Sequence, residues 1–103
     1  MIRTKFQALE ALKDVKPEFV FWLCDGSTIK NLEELLEHLK MMNDETFRYH
    51  VNQEKNDFAK WIFDIIKDEK LANDLKKTQN KSEFIKIVNN RIKWLKKKAG
   101  LKS

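Results

Sequence analysis

Apolar positions recur three and four residues apart along most of the chain, the period of an amphipathic helix. Phe6, Leu9 and Leu12, with Ala8 and Ala11 beside them, predict a first helix over residues 4–15. Lys16-Pro17 ends it, because the residue before a proline is pushed out of the α region. Leu32, Leu35, Leu36 and Leu39 form the stripe of a second helix, with Glu33, Glu37 and Lys40 facing water. Asn31 stands at its start and Glu34 three residues on, the spacing of a capping box. Met41 and Met42 close it as adaptable packing. Asn43 or Asp44 caps a short third helix ending at Val51, and Asn52 to Asn56 reads as a polar loop.

Asn56 or Asp57 then caps the most apolar segment. Phe58, Ala59, Trp61, Ile62, Phe63, Ile65 and Ile66 cover more than half the circumference of a helix over residues 58–67, which predicts a place in the middle of a bundle. Leu71, Ala72 and Leu75 mark a further helix over 68–77. After the linker Thr78–Lys81, Ser82 caps a last helix over 83–98, stopped by Ala99-Gly100. Between Phe19 and Lys30 the helical period is lost. FVFWLC followed by Asp25-Gly26 fits a hairpin with a two-residue turn, and the rival is a short helix begun by Pro17 and stopped by Gly26. The aromatic and β-branched content favours the extended form.

The expected fold is therefore mainly α, a compact bundle of five to six short helices with a short β-hairpin within residues 19–30. The chain of 103 residues is long enough for one domain, 1–103, with one modest core. Only two Gly and one Pro occur, too few for an all-β protein with many tight turns. The longest apolar run, FVFWLC, is far short of the about 20 residues a membrane span needs. No membrane role is expected, and the acid-containing N-terminus predicts no targeting peptide. Cys24 is the only cysteine, so no internal disulfide can form, which suits a reducing cytoplasmic setting. It reads as a small core residue.

Charge changes the picture more than composition does. Residues 1–51 carry seven Lys or Arg against nine Asp or Glu, and residues 52–103 carry fourteen against seven. From Lys76 to Ser103 there are ten basic residues and one acid, Glu83. On the last helix Phe84, Ile85, Ile87, Val88, Ile92, Trp94 and Leu95 span about half the circle, and Lys86, Lys93 and Lys97 align near the opposite pole. Asn89, Asn90 and Lys96 flank them, Arg91 and Lys98 add charge, and Lys98 and Lys102 extend the ridge as a tail. Lysines on a rigid helix can hold phosphates while asparagines adjust register. The plain alternative is an ordinary solvated face, which Glu33 and Glu37 of the second helix could neutralise.

The second concentration of polar chemistry lies in MNDETFRYHVNQEKNDFAKWI, residues 42–62. Phe47, His50 and Val51 share a helix face, which puts His50 at the edge of the core beside the loop that begins the next helix. It reads first as a structural histidine bonded to Asn52, Asn56, Asp57 or a backbone carbonyl, because buried polar groups usually satisfy one another. The sharper reading is a ligand pocket of Tyr49, His50 and Asp57, residue types able to do acid–base work. Glu34 and His38 share a face four residues apart, but with no second cysteine and no clustered histidine pair a metal site is not expected. No G-x-S-x-G frame surrounds Ser27 and no Gly-rich phosphate loop exists. No cofactor is expected.

The segments FWLCDGSTIKNLEELLEHLKMM, FRYHVN, NDFAKWIFD and DEKLANDL together resemble an uncharacterised small helical domain family of prokaryotes, largely archaeal, over roughly residues 19–75. The resemblance implies a small helical module, found alone or attached to larger proteins, and it supplies no assigned chemistry to carry over. The basic last helix lies outside it.

The sequence thus points to a small basic protein that is not an enzyme. Its first expected role is sequence-independent binding of DNA or RNA through phosphate contacts of Lys86, Lys93, Lys96 and Lys97, helped by Arg91 and Lys98. The alternative is a protein-interaction or self-associating module, with a protein partner or a homodimer held through exposed aromatics such as Trp22 and Trp94.

Overall fold

A computed structural model describes residues 1–101. It contains six α-helices and a two-stranded antiparallel sheet, in the order α1 (Lys5–Leu12), β1 (Phe21–Trp22), β2 (Thr28–Ile29), α2 (Leu32–Met41), α3 (Asp44–His50), α4 (Asp57–Trp61), α5 (Glu69–Lys76) and α6 (Lys81–Lys98). A 3₁₀ turn at Pro17–Phe19 precedes β1, and α4 runs directly into a π turn at Ile62–Ile66. No helix among the described residues is long and apolar enough to cross a membrane.

Each helix starts where a short polar side chain can take a free backbone N–H. Thr4 accepts from Gln7 N while the Gln7 side chain takes the Thr4 N–H, a complete capping box. Asn31 caps α2 at 2.7 Å, but the Glu34 carboxylate reaches one residue further back than a box requires, to the Lys30 N–H. Asn43, Asn56 and Asp68 cap α3, α4 and α5. The cap of α6 is Asn80 rather than Ser82, so the helix begins two residues before the expected start.

After the 3₁₀ turn that ends at Phe19, the chain forms the expected hairpin, but its turn differs from the expected two-residue one. Phe21 pairs with Ile29 and Trp22 with Thr28, and Leu23 N donates to Ser27 O. The loop is therefore Cys24-Asp25-Gly26, with Gly26 N donating to Leu23 O and only Gly26 at positive φ. This is a three-residue hairpin loop, in which a single glycine takes the left-handed position. Cys24 sits at its tip and is exposed, not in the core.

The core gathers Leu32, Leu35 and Leu39 of α2, Phe58 of α4 and Ile62 of the π turn, Leu71 and Leu75 of α5, and Phe84, Val88 and Leu95 of α6. α6 is the central strut, packed against α1, α2 and α5. Two expectations about facing fail. α1 turns Ala8 and Ala11 to the core and leaves Phe6 69% exposed, with Leu9 also exposed. The small pair lets α1 approach α6 closely, and Ile2, Leu12 and Val15 pack against the core around it. The segment 58–67 is not one helix either. Its second half widens to a π turn that ends on Lys67 at φ 68°, with Lys67 N bonded to Ile62 O. Ile62 and Ile66 stay buried, whereas Phe63 turns outward under the Lys76 ammonium, 5.1 Å from its ring centroid.

Candidate functional site

The buried stripe of α6 is Phe84, Val88, Ile92, Leu95 and Ala99, positions three or four apart. The opposite side is polar by the same geometry. Lys86, Asn90, Lys93 and Lys97 are exposed there, and Lys98 is exposed on the flank between that side and the buried stripe. Lys86 and Lys97 are separated by about 16 Å along the axis at about 1.5 Å per residue. Among the described residues none of Lys86, Lys93, Lys97 and Lys98 enters an ion pair. Lys102, expected to extend this ridge, lies outside the described residues.

Two residues expected in the interface are committed elsewhere. Arg91 points toward α5. Its Nε donates to Asp68 Oδ2 at 2.8 Å and a terminal nitrogen to Asp68 Oδ1 at 2.9 Å. Asp68 is fully buried and also caps α5 through the Leu71 N–H at 3.2 Å. A buried carboxylate needs a partner of this kind, and the bidentate fork supplies two of its hydrogen bonds. No local pattern in the sequence links positions 68 and 91. Lys96 leans the other way, onto Glu33 at the start of α2. Glu33 was one of two acids able to neutralise the ridge, and it does so for this lysine alone among those named. At the first turn of the helix Lys81 is likewise engaged, with Met42 O at 2.7 Å and Asp44 at 3.5 Å. The outward ridge is thus Lys86, Lys93, Lys97 and Asn90, with the exposed Glu83 one turn before Lys86 on the same face and Lys98 on the flank beyond Trp94.

Trp94 borders the ridge, four residues from Asn90 and Lys98 and three from Lys97. It falls within the apolar half of the helix by spacing, yet it is 41% exposed, as expected of a candidate contact aromatic. The Arg91 guanidinium lies 4.2 Å from its ring centroid. Trp22, on β1, is exposed as well.

The Tyr49–His50–Asp57 corner is organised quite differently. His50 is 3% exposed at the end of α3. Its Nε2 faces the Cys24 N–H at 3.1 Å and its Nδ1 faces Asp57 Oδ2 at 2.9 Å. A backbone N–H can only donate, so Nε2 is the acceptor and Nδ1 carries the proton that Asp57 receives. The ring packs edge-on against Phe21, centroids 5.2 Å apart. Asp57 Oδ2 also takes Lys55 Nζ at 2.9 Å, and Lys55 lies 4.4 Å above the exposed Tyr49 ring. Partial burial works against the Asp57 carboxylate, but the hydrogen bonds from Lys55 and His50 prevail and hold its pKa below the ordinary value. The same bond to Asp57 raises the pKa of Lys55.

Cys24, His50 and Asp57 are the residue types of a nucleophilic triad, but their atoms are not so arranged. The lone pair of His50 that would draw a proton from the thiol is occupied by the Cys24 backbone N–H. Neighbouring polar side chains are used in the same way. Asn56 caps α4 and donates to Leu75 O, and Asn52 donates to Arg48 O. His50 therefore ties the hairpin loop to α3 and α4. Asp57 was among its expected partners, whereas the bond to Cys24 N spans 26 positions and has no signal in the sequence.

Glu34 and His38 also turn away from each other. The carboxylate bonds to Lys30 N, and His38 Nδ1 bonds to Glu34 O at 2.9 Å. Among the described residues no three His, Cys, Asp or Glu side chains are grouped to hold a metal ion.

An open groove of about 680 Å³ lies between α1 and the π turn, with Ile2, Phe6, Phe19, Ile65 and Ile66 among its apolar lining residues and both lysines and carboxylates among its charged ones.

No protein-family model matches the chain, and no curated protein or solved structure matches it either.

Proposed function

We propose that the protein is a small basic binding module that holds nucleic acid through the phosphates, along the exposed ridge of α6. The observation that carries this reading is the set Lys86, Lys93, Lys97 and Lys98, outward on one rigid helix and without carboxylate partners among the described residues. Free ammonium groups on a fixed spacing release counterions when they meet a phosphate backbone, and that release supplies sequence-independent affinity. Asn90 lies among them as a hydrogen-bond donor to phosphate or sugar. Arg91 and Lys96 drop out of the expected contact set, because Asp68 and Glu33 hold them.

The test is a charge reversal. Lys86→Glu with Lys93→Glu abolishes binding to short oligonucleotides while the melting temperature stays near that of the parent. Equal binding by the double variant overturns the reading.

A second reading, a protein-interaction module, is favoured by one observation. Phe6 and Phe19 stand exposed in the groove beside Ile65, where an apolar segment of a partner protein could be covered. Phe6→Glu would then abolish capture of that partner and leave oligonucleotide binding unchanged. A second copy of the chain is the homodimer form of the same reading, and a concentration-dependent sedimentation coefficient distinguishes it.

A further inference from the structure

Trp94 is the only aromatic on the outward side of α6, and it is held in place. The Arg91 guanidinium lies against the ring, 4.2 Å from its centroid. That guanidinium is itself fixed by two hydrogen bonds, 2.8 and 2.9 Å, to a carboxylate with no solvent exposure. A cation stacked on an indole restrains the ring as well as attracting it. The side chain is therefore preorganised, with little rotamer freedom left to lose when a ligand covers it. Its exposed neighbours on the helix are Asn90, Lys97 and Lys98, with Lys93 and Lys86 continuing the ridge.

A fixed aromatic surface bordered by free ammonium groups suits a ligand that joins a flat π face to phosphate. We propose that the α6 ridge binds single-stranded nucleic acid, with one unpaired base stacked on Trp94 and the flanking phosphates on Lys93, Lys97 and Lys98. The proposal rests on the phosphate reading of the ridge and specifies the form of nucleic acid it takes. A duplex can reach the lysines but not the indole, because its bases are paired and stacked and turn only their edges to the grooves. A single strand offers base faces, and every base has one, so stacking adds affinity without sequence preference. Arg91 and Asp68 act as positioning residues, since neither needs to touch the strand.

The experiment compares a labelled single-stranded oligonucleotide with a duplex of the same sequence at low salt, by anisotropy, with AMP as competitor. The proteins are the parent chain, Trp94→Ala, Trp94→Phe and the Lys86→Glu/Lys93→Glu double variant. The parent is expected to prefer the single strand about tenfold, and Trp94→Ala to lose about that factor for the single strand alone, the scale of one stacked base. Trp94→Phe retains most of the affinity, and AMP competes poorly at equal nucleotide concentration. A second readout leaves Trp94 intact. In Trp22→Phe protein the remaining exposed indole is Trp94, since Trp61 is buried and donates to Phe19 O. Its fluorescence is quenched by the single strand and not by the duplex.

Equal affinity for both forms, unaffected by Trp94→Ala and lost in the double lysine variant, overturns the stacking site and leaves the phosphate reading standing. AMP competing as strongly as the strand overturns it in favour of a free nucleotide. No binding of either form at low salt overturns both readings.

Discussion

The His50 corner and the α6 ridge are the two polar concentrations of this molecule, and they are finished in opposite ways. At the corner the groups close on one another. His50 uses both ring nitrogens, Asp57 takes His50 and Lys55, and Lys55 covers Tyr49. On the ridge and its flank four ammonium groups have no partner carboxylate among the described residues. The sequence alone left both open, with a structural histidine and phosphate-binding lysines as the first readings and a Tyr49–His50–Asp57 pocket and a plain solvated face as their rivals. What separates a fastening from a binding surface is whether the donors and acceptors are already spent.

That contrast can be broken where α6 itself is fastened. Arg91→Ala leaves the buried Asp68 carboxylate unpaired and is expected to destabilise the fold by about 3–5 kcal/mol in urea denaturation. A loss of less than 1 kcal/mol would mean that Asp68 finds water or another donor. His50→Ala comes next, at about 2–3 kcal/mol, because the Cys24 N–H and Asp57 lose a partner and the aromatic cluster loses a ring. Neither variant is expected to weaken oligonucleotide binding through a lost phosphate contact. The reverse holds for Lys86→Glu with Lys93→Glu, where stability changes by about 1 kcal/mol or less and binding is lost.

Much of this was legible before the structure. The leucine stripe of α2, the caps Asn31, Asn43 and Asn56, and the polar pole of α6 all follow from local spacing. Three features were not. α1 contains two candidate stripes, and the bulky one lost because Ala8 and Ala11 allow a closer helix approach. The π turn at Ile62–Ile66 interrupts a segment whose composition reads as continuous helix. The loss of Arg91 from the interface depends on Asp68, 23 positions away, and a tertiary pair leaves no local period. Tertiary partnership decided which charges were available.

Two smaller effects sharpen the comparison. Glu33→Gln releases Lys96 from its carboxylate and adds a cation at the edge of the ridge, so oligonucleotide affinity rises and the salt slope steepens by about 0.7–0.9. Stability changes little, as for other exposed pairs, by about 0–1 kcal/mol. The corner responds to acid instead. The folded-state pKa of Asp57 is depressed, so the unfolded chain binds the proton more readily and folding in that window releases it. The contribution is present above the unfolded value of about 3.9 and is lost as pH falls through the folded value. Asp57→Asn flattens the stability profile in that acid window, and an unchanged slope would assign the acid response to other carboxylates.

The salt dependence of binding tests the central claim most directly. The logarithm of the association constant for a short single strand, followed by anisotropy from low to physiological salt, is expected to fall linearly with log salt. Four lysine contacts at about 0.7 each give a slope of about −3, and the Lys86→Glu/Lys93→Glu variant leaves no binding to titrate. No binding by the parent chain at low salt, or a slope near zero, would contradict the account and make the ridge an ordinary solvated face.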